Sequence, residues 1–411
     1  MAAPPVRPRG MSLAQARNTG LDLAATPSMH MASLGELFRG NASVVLPPCS
    51  TPVPPQEISC MAIMTMPMIE CEFDGFMLPD SFCAAAGGLN SFYVRWLESA
   101  GIRVVPLPWD APFEHQVALA RCCNGILFPG GDLDHFGDVL DAYFQRVKRL
   151  YELALQWNSK GDRFVLWGTC QGFQLLCACA AGSIDVIEPG FVGTSTKMMP
   201  VSLTAHQPAS RFLGAATTPA HVISSFADAP STLNFHRFGV SPDSFACGES
   251  GGAAAAPPGT TGGGDVAVAA SPKWPGLGAA FVPLSTNVDD NGRAFVSIME
   301  HRTAPFYGVQ FHPEWPPFDF SDERIPKTPP VIAVSLYCCQ FLLQALRCNN
   351  NKHYFPTAKL SEKAVVERCP VVYEGFGWEM YWVQATAKEV PAECLNDAIQ
   401  QEHDLHEFFA S

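Results

Sequence analysis

Apolar residues fall into short runs separated by longer amphipathic stretches. Residues 60–66, 103–107, 124–128, 164–167, 281–284, 294–299 and 306–311 are runs of strand length, four to seven residues each. Between them, Phe92, Tyr93, Trp96 and Leu97 recur at helical spacing before Gly101, which stands where a C-cap glycine belongs. Further helices are expected over 139–157, from the 170 region to Ala181, and over 331–346. Strands alternating with helices of ten or more residues predict βαβ units. The expected fold class is therefore α/β, a mostly parallel central sheet flanked by helices on both faces.

The ends and the middle depart from this pattern. The first sixty residues carry Arg7, Arg9, Arg17 and Arg39 against Asp22, Glu36 and Glu57, without the apolar core of a secretory signal, and end in a Pro-rich stretch. We read residues 1–56 as a disordered or targeting tail, 57–385 as one domain, and 386–411 as a C-terminal tail. Within the domain, the Gly- and Ala-rich segment 248–275 cannot bury a core and is expected as a low-complexity insertion.

Composition narrows the partners. At 411 residues and 47% hydrophobic content the chain can bury a sizeable core. Its formal net charge of −13 and the lack of a basic cluster argue against nucleic acid as a partner. No apolar run reaches the ~20 residues of a membrane span, so none is expected. The 15 cysteines, with adjacent pairs at Cys122-Cys123 and Cys338-Cys339, match neither a disulfide framework nor a zinc signature.

One cysteine stands apart. The run Gly168-Thr169-Cys170-Gln171-Gly172 joins a predicted strand to a predicted helix, with glycines on both sides of Cys170 at the spacing of a nucleophile elbow. Such a turn crowds the backbone, forces its central residue into strain and presents the side chain at a helix N-terminus, whose partial positive charge favours thiolate. A cysteine taken blindly is a small buried residue; this context makes Cys170 a candidate nucleophile.

A cysteine attacking an amide needs a group to take and return a proton. His312-Pro313-Glu314 directly follows the 306–311 strand. Two residues apart in extended chain, the imidazole and the carboxylate project to one face, so Glu314 can orient His312 towards Cys170. A lone His-x-Glu is more often an ordinary loop pair, so the weight lies in its pairing with the elbow.

The two segments together resemble the class I glutamine amidotransferase-like superfamily, with its flavodoxin-like sandwich. More narrowly, the chain resembles γ-glutamyl hydrolase, or folylpolyglutamate hydrolase. The narrower resemblance rests on Tyr93-Val94-Arg95-Trp96-Leu97-Glu98-Ser99-Ala100-Gly101, Asn124-Gly125-Ile126-Leu127-Phe128-Pro129-Gly130-Gly131, Asn234-Phe235-His236-Arg237 and Ser285-Thr286-Asn287-Val288-Asp289, besides the Cys and His segments. It implies Cys170 as nucleophile, His312 as base and acid, and Glu314 as orienting carboxylate. It further implies an oxyanion hole from the backbone N–H groups of Gln171 and Gly131, and His236 and Gly130 in the substrate cleft. Metal and cofactor are not implied. Arg237 is the cation expected to offset repulsion between an acidic chain and an anionic substrate. Gln174 stands where the family often carries an acid, and Gly88 where it often carries an aromatic residue near the start of a helix; both mark positions near the cleft.

The implied activity is hydrolysis of γ-glutamyl bonds in folylpoly-γ-glutamates, releasing glutamate or short poly-γ-glutamate. A glutaminase feeding ammonia to a synthase partner, and a non-catalytic binding member of the fold, are the alternatives. The resemblance is compatible with a homodimer and points to lysosome, vacuole or extracellular space, whereas the N-terminus leaves cytoplasm or another organelle open.

Overall fold

The computed structural model describes residues 59–67, 72–73, 76–77, 86–131, 139–246, 273–349, 371–373 and 379–384. The expected tails 1–56 and 386–411 and residues 248–272 of the insertion lie outside the described residues.

The centre is an eight-stranded sheet. Its strands in chain order are β1 (Cys60–Met64), β2 (Arg103–Leu107), β3 (Gly125–Phe128), β4 (Val165–Thr169), β5 (Ser202–Leu203), β6 (Phe281–Val288), β7 (Ala294–His301) and β8 (Phe306–Val309). They lie in the order β5-β6-β7-β8-β4-β3-β1-β2. Neighbours from β8 to β2 run parallel, whereas β7, β6 and β5 extend the sheet antiparallel. The sheet is thus mostly parallel at its centre, as the alternation of elements predicts.

Five of the helices bear on the core and the site: α1 (Ser91–Ser99), α2 (Phe113–Arg121), α3 (Leu140–Ser159), α4 (Gln171–Ala181) and α5 (Pro329–Arg347). Every residue of β1 is buried, and its side chains alternate between two cores. Cys60, Ala62 and Met64 join residues of α2, α3 and α4 on one face. Met61 and Ile63 join Tyr93, Trp96 and Leu97 of α1 and Val334, Cys338 and Leu342 of α5 on the other. Two-sided burial explains why these strands read as continuous apolar runs.

Three local expectations need correction. The 60–66 run splits, since β1 ends at Met64 and Met66–Pro67 joins a four-stranded sheet with Ala86–Asn90, Val371–Tyr373 and Glu379–Gln384. Gly88 lies in the strand Ala86–Asn90, opposite Met66 and Trp382, and the helix begins only at Ser91, capped by Asn90 Oδ1 accepting from Phe92 N at 2.8 Å. Helical spacing of the aromatics locates α1 but not its first turn. Finally, among the described residues one helix, α5, is long and apolar enough to cross a membrane, which the reading of apolar runs overlooked; half of its most apolar window is buried, and it packs on the sheet as a core helix.

Candidate active site

The register of β4 carries the site. Gly168 pairs with Phe128 of β3 on one side and with Gly308 of β8 on the other, so three strand ends arrive together. Beyond them lie Pro129-Gly130-Gly131, Cys170 and the segment leading to His312. Side-chain bulk is excluded here. A Cβ on Gly168 would lie 2.5 Å from the Gly172 carbonyl oxygen, and one on Gly172 would overlap the carbonyl oxygen of Phe128. Both glycines of the elbow are therefore required by backbone approach.

Cys170 takes φ 52 and ψ −106, a region that L-residues other than glycine rarely occupy. Two backbone bonds hold the turn: Cys170 N–H donates to Val309 O at 2.8 Å, and Gly172 N–H to Pro129 O at 3.0 Å. The strained elbow expected from the sequence is present. Its thiol lies 3.7 Å from the carbonyl oxygen of Phe235, at the head of α4.

His312 and Glu314 follow β8 in a loop, held by His312 N–H donating to Leu233 O at 2.8 Å. Nδ1 of His312 is 2.7 Å from Oε1 of Glu314, and both side chains are buried. Nε2 is buried, and among the described residues no hydrogen bond of ordinary geometry reaches it. Burial alone would depress the imidazole pKa, but the Glu314 carboxylate and the Cys170 sulfur outweigh it and hold His312 well above the usual imidazole range. Cysteine and histidine thus meet at one point: a Cβ on Gly130 would lie 2.6 Å from His312 Cε1 and 3.2 Å from Cys170 Cβ.

The Gly-Gly turn closes the other side. Gly130 N–H donates to the hydroxyl of Tyr93 at 2.6 Å, and the side chain of Gln171 lies against Gly131. Burial, reinforced by the Glu314 carboxylate, keeps the Tyr93 phenol protonated. The sequence marks Tyr93 only as a core position of α1. Its hydroxyl reaches the Gly-Gly turn, which helical spacing does not reveal.

A cavity of about 590 Å³ opens over Cys170 and His312, and its wall includes Gly130, Gly131, Gln174, His236 and Arg237. His236 is buried, with Nδ1 2.8 Å from Phe238 O and Nε2 3.2 Å from Asn234 Oδ1. Burial, with His312 nearby, pushes its pKa down to about 4 and keeps it neutral. Gln174 is committed to the scaffold: its Nε2 donates to Phe238 O at 2.9 Å and to Gln310 Oε1 at 3.1 Å. Trp315, directly after the His-Pro-Glu segment, packs its ring 4.9 Å from that of His312 and also lines the cavity. Adjacency to Glu314 was the only sequence signal for it.

An elbow cysteine beside a strand-end His-Glu pair, on a mostly parallel sheet, defines a class I glutamine amidotransferase-like domain. Comparison with known proteins narrows this. The Peptidase C26 family model matches residues 81–208, which include Cys170. Human gamma-glutamyl hydrolase is 32% identical over 285 residues, covering 69% of this chain and 78% of that protein, and the Bos taurus enzyme is 30% identical with the same coverage. Among solved structures, the glutaminase domain of Trypanosoma brucei CTPS with bound acivicin aligns over 70% of this chain and 93% of its own, at 13% identity and a TM-score of 0.38. The chain belongs to the γ-glutamyl hydrolase family.

Proposed function

We propose that this γ-glutamyl hydrolase uses Cys170, His312 and Glu314 to cleave γ-glutamyl bonds of folylpoly-γ-glutamates. The observation that carries the reading is the buried His312–Glu314 pair beside a strained elbow cysteine. Cys170 Sγ attacks the γ-carbonyl carbon with its proton already held on His312 Nε2. The oxyanion that forms is received by the backbone N–H groups of Gln171 and Gly131. Removing one such donor typically costs on the order of 10²–10³ in rate. As the tetrahedral intermediate collapses, His312 delivers the proton to the departing α-amine and a thioester remains on Cys170. Water, deprotonated by His312, then attacks the thioester carbonyl, and the thiolate leaves to restore the starting pair. Glu314 holds the ring throughout and stabilises the imidazolium.

Incubation of the protein with a pteroyl oligo-γ-glutamate, with product lengths read by chromatography, tests the reading. Free glutamate or short γ-glutamate chains are expected. Ammonia from free glutamine, without cleavage of the γ-linked chain, would indicate a glutaminase instead.

A further inference from the structure

The cleft over Cys170 is bounded on one side by the aromatic pair Phe235 and Trp315, whose ring centroids are 5.4 Å apart. The same two residues line a second cavity of about 630 Å³, together with Thr196, Asp319, Asp322 and Glu323. The volume is within the ~300–1,000 Å³ of small-ligand clefts. A β-bulge serves both cavities. The strand Ser195–Met199 pairs antiparallel with Thr232–Phe235 and slips register between Ser195 and Lys197, where Thr196 takes φ 51. Ser195 consequently lines the first cavity and Thr196 the second, a re-aiming that bulges commonly perform beside sites.

The two cavities differ in charge. The first is lined by Arg237 and two histidines and by no carboxylate among the described residues. The second sets Asp319, Asp322 and Glu323 against Arg324. A poly-γ-glutamate chain carries a carboxylate on every residue, so it is repelled from the second cavity and accepted by the first. What suits the second is an uncharged planar group. The exposed ring on its wall is that of Phe235, 40% exposed; Phe320, next in sequence to the lining residues Asp319 and Ser321, is 78% exposed. Large apolar rings left open at the rim of a cleft mark a recognition surface.

We propose that the second cavity receives the pteroyl end of the substrate, its heterocycle stacking on the Phe235–Trp315 wall. The glutamyl chain then runs from that wall across Cys170 towards Arg237. This inference rests on the folylpoly-γ-glutamate reading above and adds a direction to it. The number of glutamyl residues that span from the wall to Cys170 then decides where the chain is cut.

The test compares kcat/KM for pteroyl-tri-γ-glutamate and for the same triglutamate carrying an N-acetyl cap. The parent protein is expected to prefer the pteroyl substrate by about tenfold or more, the scale of stacking one flat ring on an aromatic side chain. Phe235→Ala, and the bulk-preserving Phe235→Leu, should bring that preference to within about threefold of unity. Because the readout is a ratio within each protein, a general loss of activity does not imitate the effect. Equal rates on both substrates in the parent would overturn the subsite while leaving the hydrolase reading intact, and so would a preference that survives both substitutions. Hydrolysis of neither substrate by the parent would overturn the hydrolase reading and the subsite with it.

Discussion

The backbone N–H of Cys170 donates to the carbonyl of Val309 at 2.8 Å, and this bond ties the elbow to the strand that delivers His312. Strand pairing, and not side-chain attraction, therefore sets the spacing of the two reacting groups. Cys170→Ala removes only a sulfur from a packed position, so the fold should survive while the chemistry does not. A fall in kcat of at least ~10⁴-fold is expected, on the scale seen when a nucleophile is removed from a triad, with a melting temperature close to the parent's. Glutamate release from a γ-linked substrate, measured beside a thermal melt, checks both; hydrolysis within tenfold of the parent would assign the nucleophile elsewhere.

Glu314 governs the protonation of His312. The carboxylate is the main influence that raises the imidazole pKa against its burial. In Glu314→Gln the amide keeps the shape but not the charge, so the His312 pKa falls. The alkaline limb of kcat/KM, where the imidazolium loses its proton, should move to lower pH, and kcat should drop by roughly 10²–10⁴. A pH–rate profile with an unmoved alkaline limb would deny Glu314 this role.

Much of this geometry is legible in the chain because strands buried on both faces announce themselves. The run 164–167 and the flanking glycines of Cys170 locate β4 and the elbow, and Val309 ends β8 within the expected 306–311 run. Strand direction is less accessible. Nothing in the apolar runs 281–284 and 294–299 says that β6 and β7 turn antiparallel, because a short apolar run marks a strand without marking its direction. Side-chain reach is least accessible of all. Tyr93 lies on the core stripe of α1, yet its hydroxyl accepts from Gly130 N–H, and Phe235 is a strand residue whose carbonyl meets Cys170 and whose ring divides two cavities. These contacts depend on the stacking of elements far apart in sequence, which periodicity does not encode.

The glycine after Gln171 is a packing requirement with a functional consequence. A Cβ at Gly172 would overlap the carbonyl oxygen of Phe128 and approach its Cβ to 2.9 Å. Neither can move without separating β3 from the head of α4. Gly172→Ala is therefore expected to cost about 1–3 kcal/mol, as overpacking does, and to displace the Gln171 amide from the oxyanion. Denaturant unfolding and residual activity should both fall; a variant with parental stability would show that the elbow has room to adjust.

Arg237 bears on substrate length. It lies exposed on the wall of the Cys170 cavity, in a chain of net charge −13 that must receive a polyanion. Each added glutamate brings a carboxylate, so attraction to a guanidinium at the cleft grows with the tail. Arg237→Ala should raise KM more for a penta-γ-glutamate tail than for a di-γ-glutamate tail, and the difference should shrink at high salt, which screens exposed charges. Steady-state kinetics on the two substrates decide it, and an equal rise in KM for both would reject the role.

His236 makes stability depend on acidity. Its folded-state pKa of about 4 lies below the 6.5 of an unfolded histidine, because burial disfavours the imidazolium. Between these values the unfolded chain binds the extra proton, so the stability that neutral His236 contributes is complete above pH 6.5 and is lost as pH falls towards 4. The full loss is on the order of 3 kcal/mol for a shift of this size. His301, also pushed down to about 4 by burial, adds a similar slope. His312 has the opposite sign: its raised pKa contributes stability at low pH that is lost only on the alkaline side. Urea unfolding of the parent at pH 7 and at pH 5 should therefore show a marked acid loss. His236→Gln, which keeps hydrogen-bonding capacity but does not titrate in this range, should lose less by about one proton's share. An acid slope identical in the two proteins would mean that His236 binds its proton equally well in the folded and unfolded chains, with both Phe238 O and Asn234 Oδ1 accepting from the imidazolium.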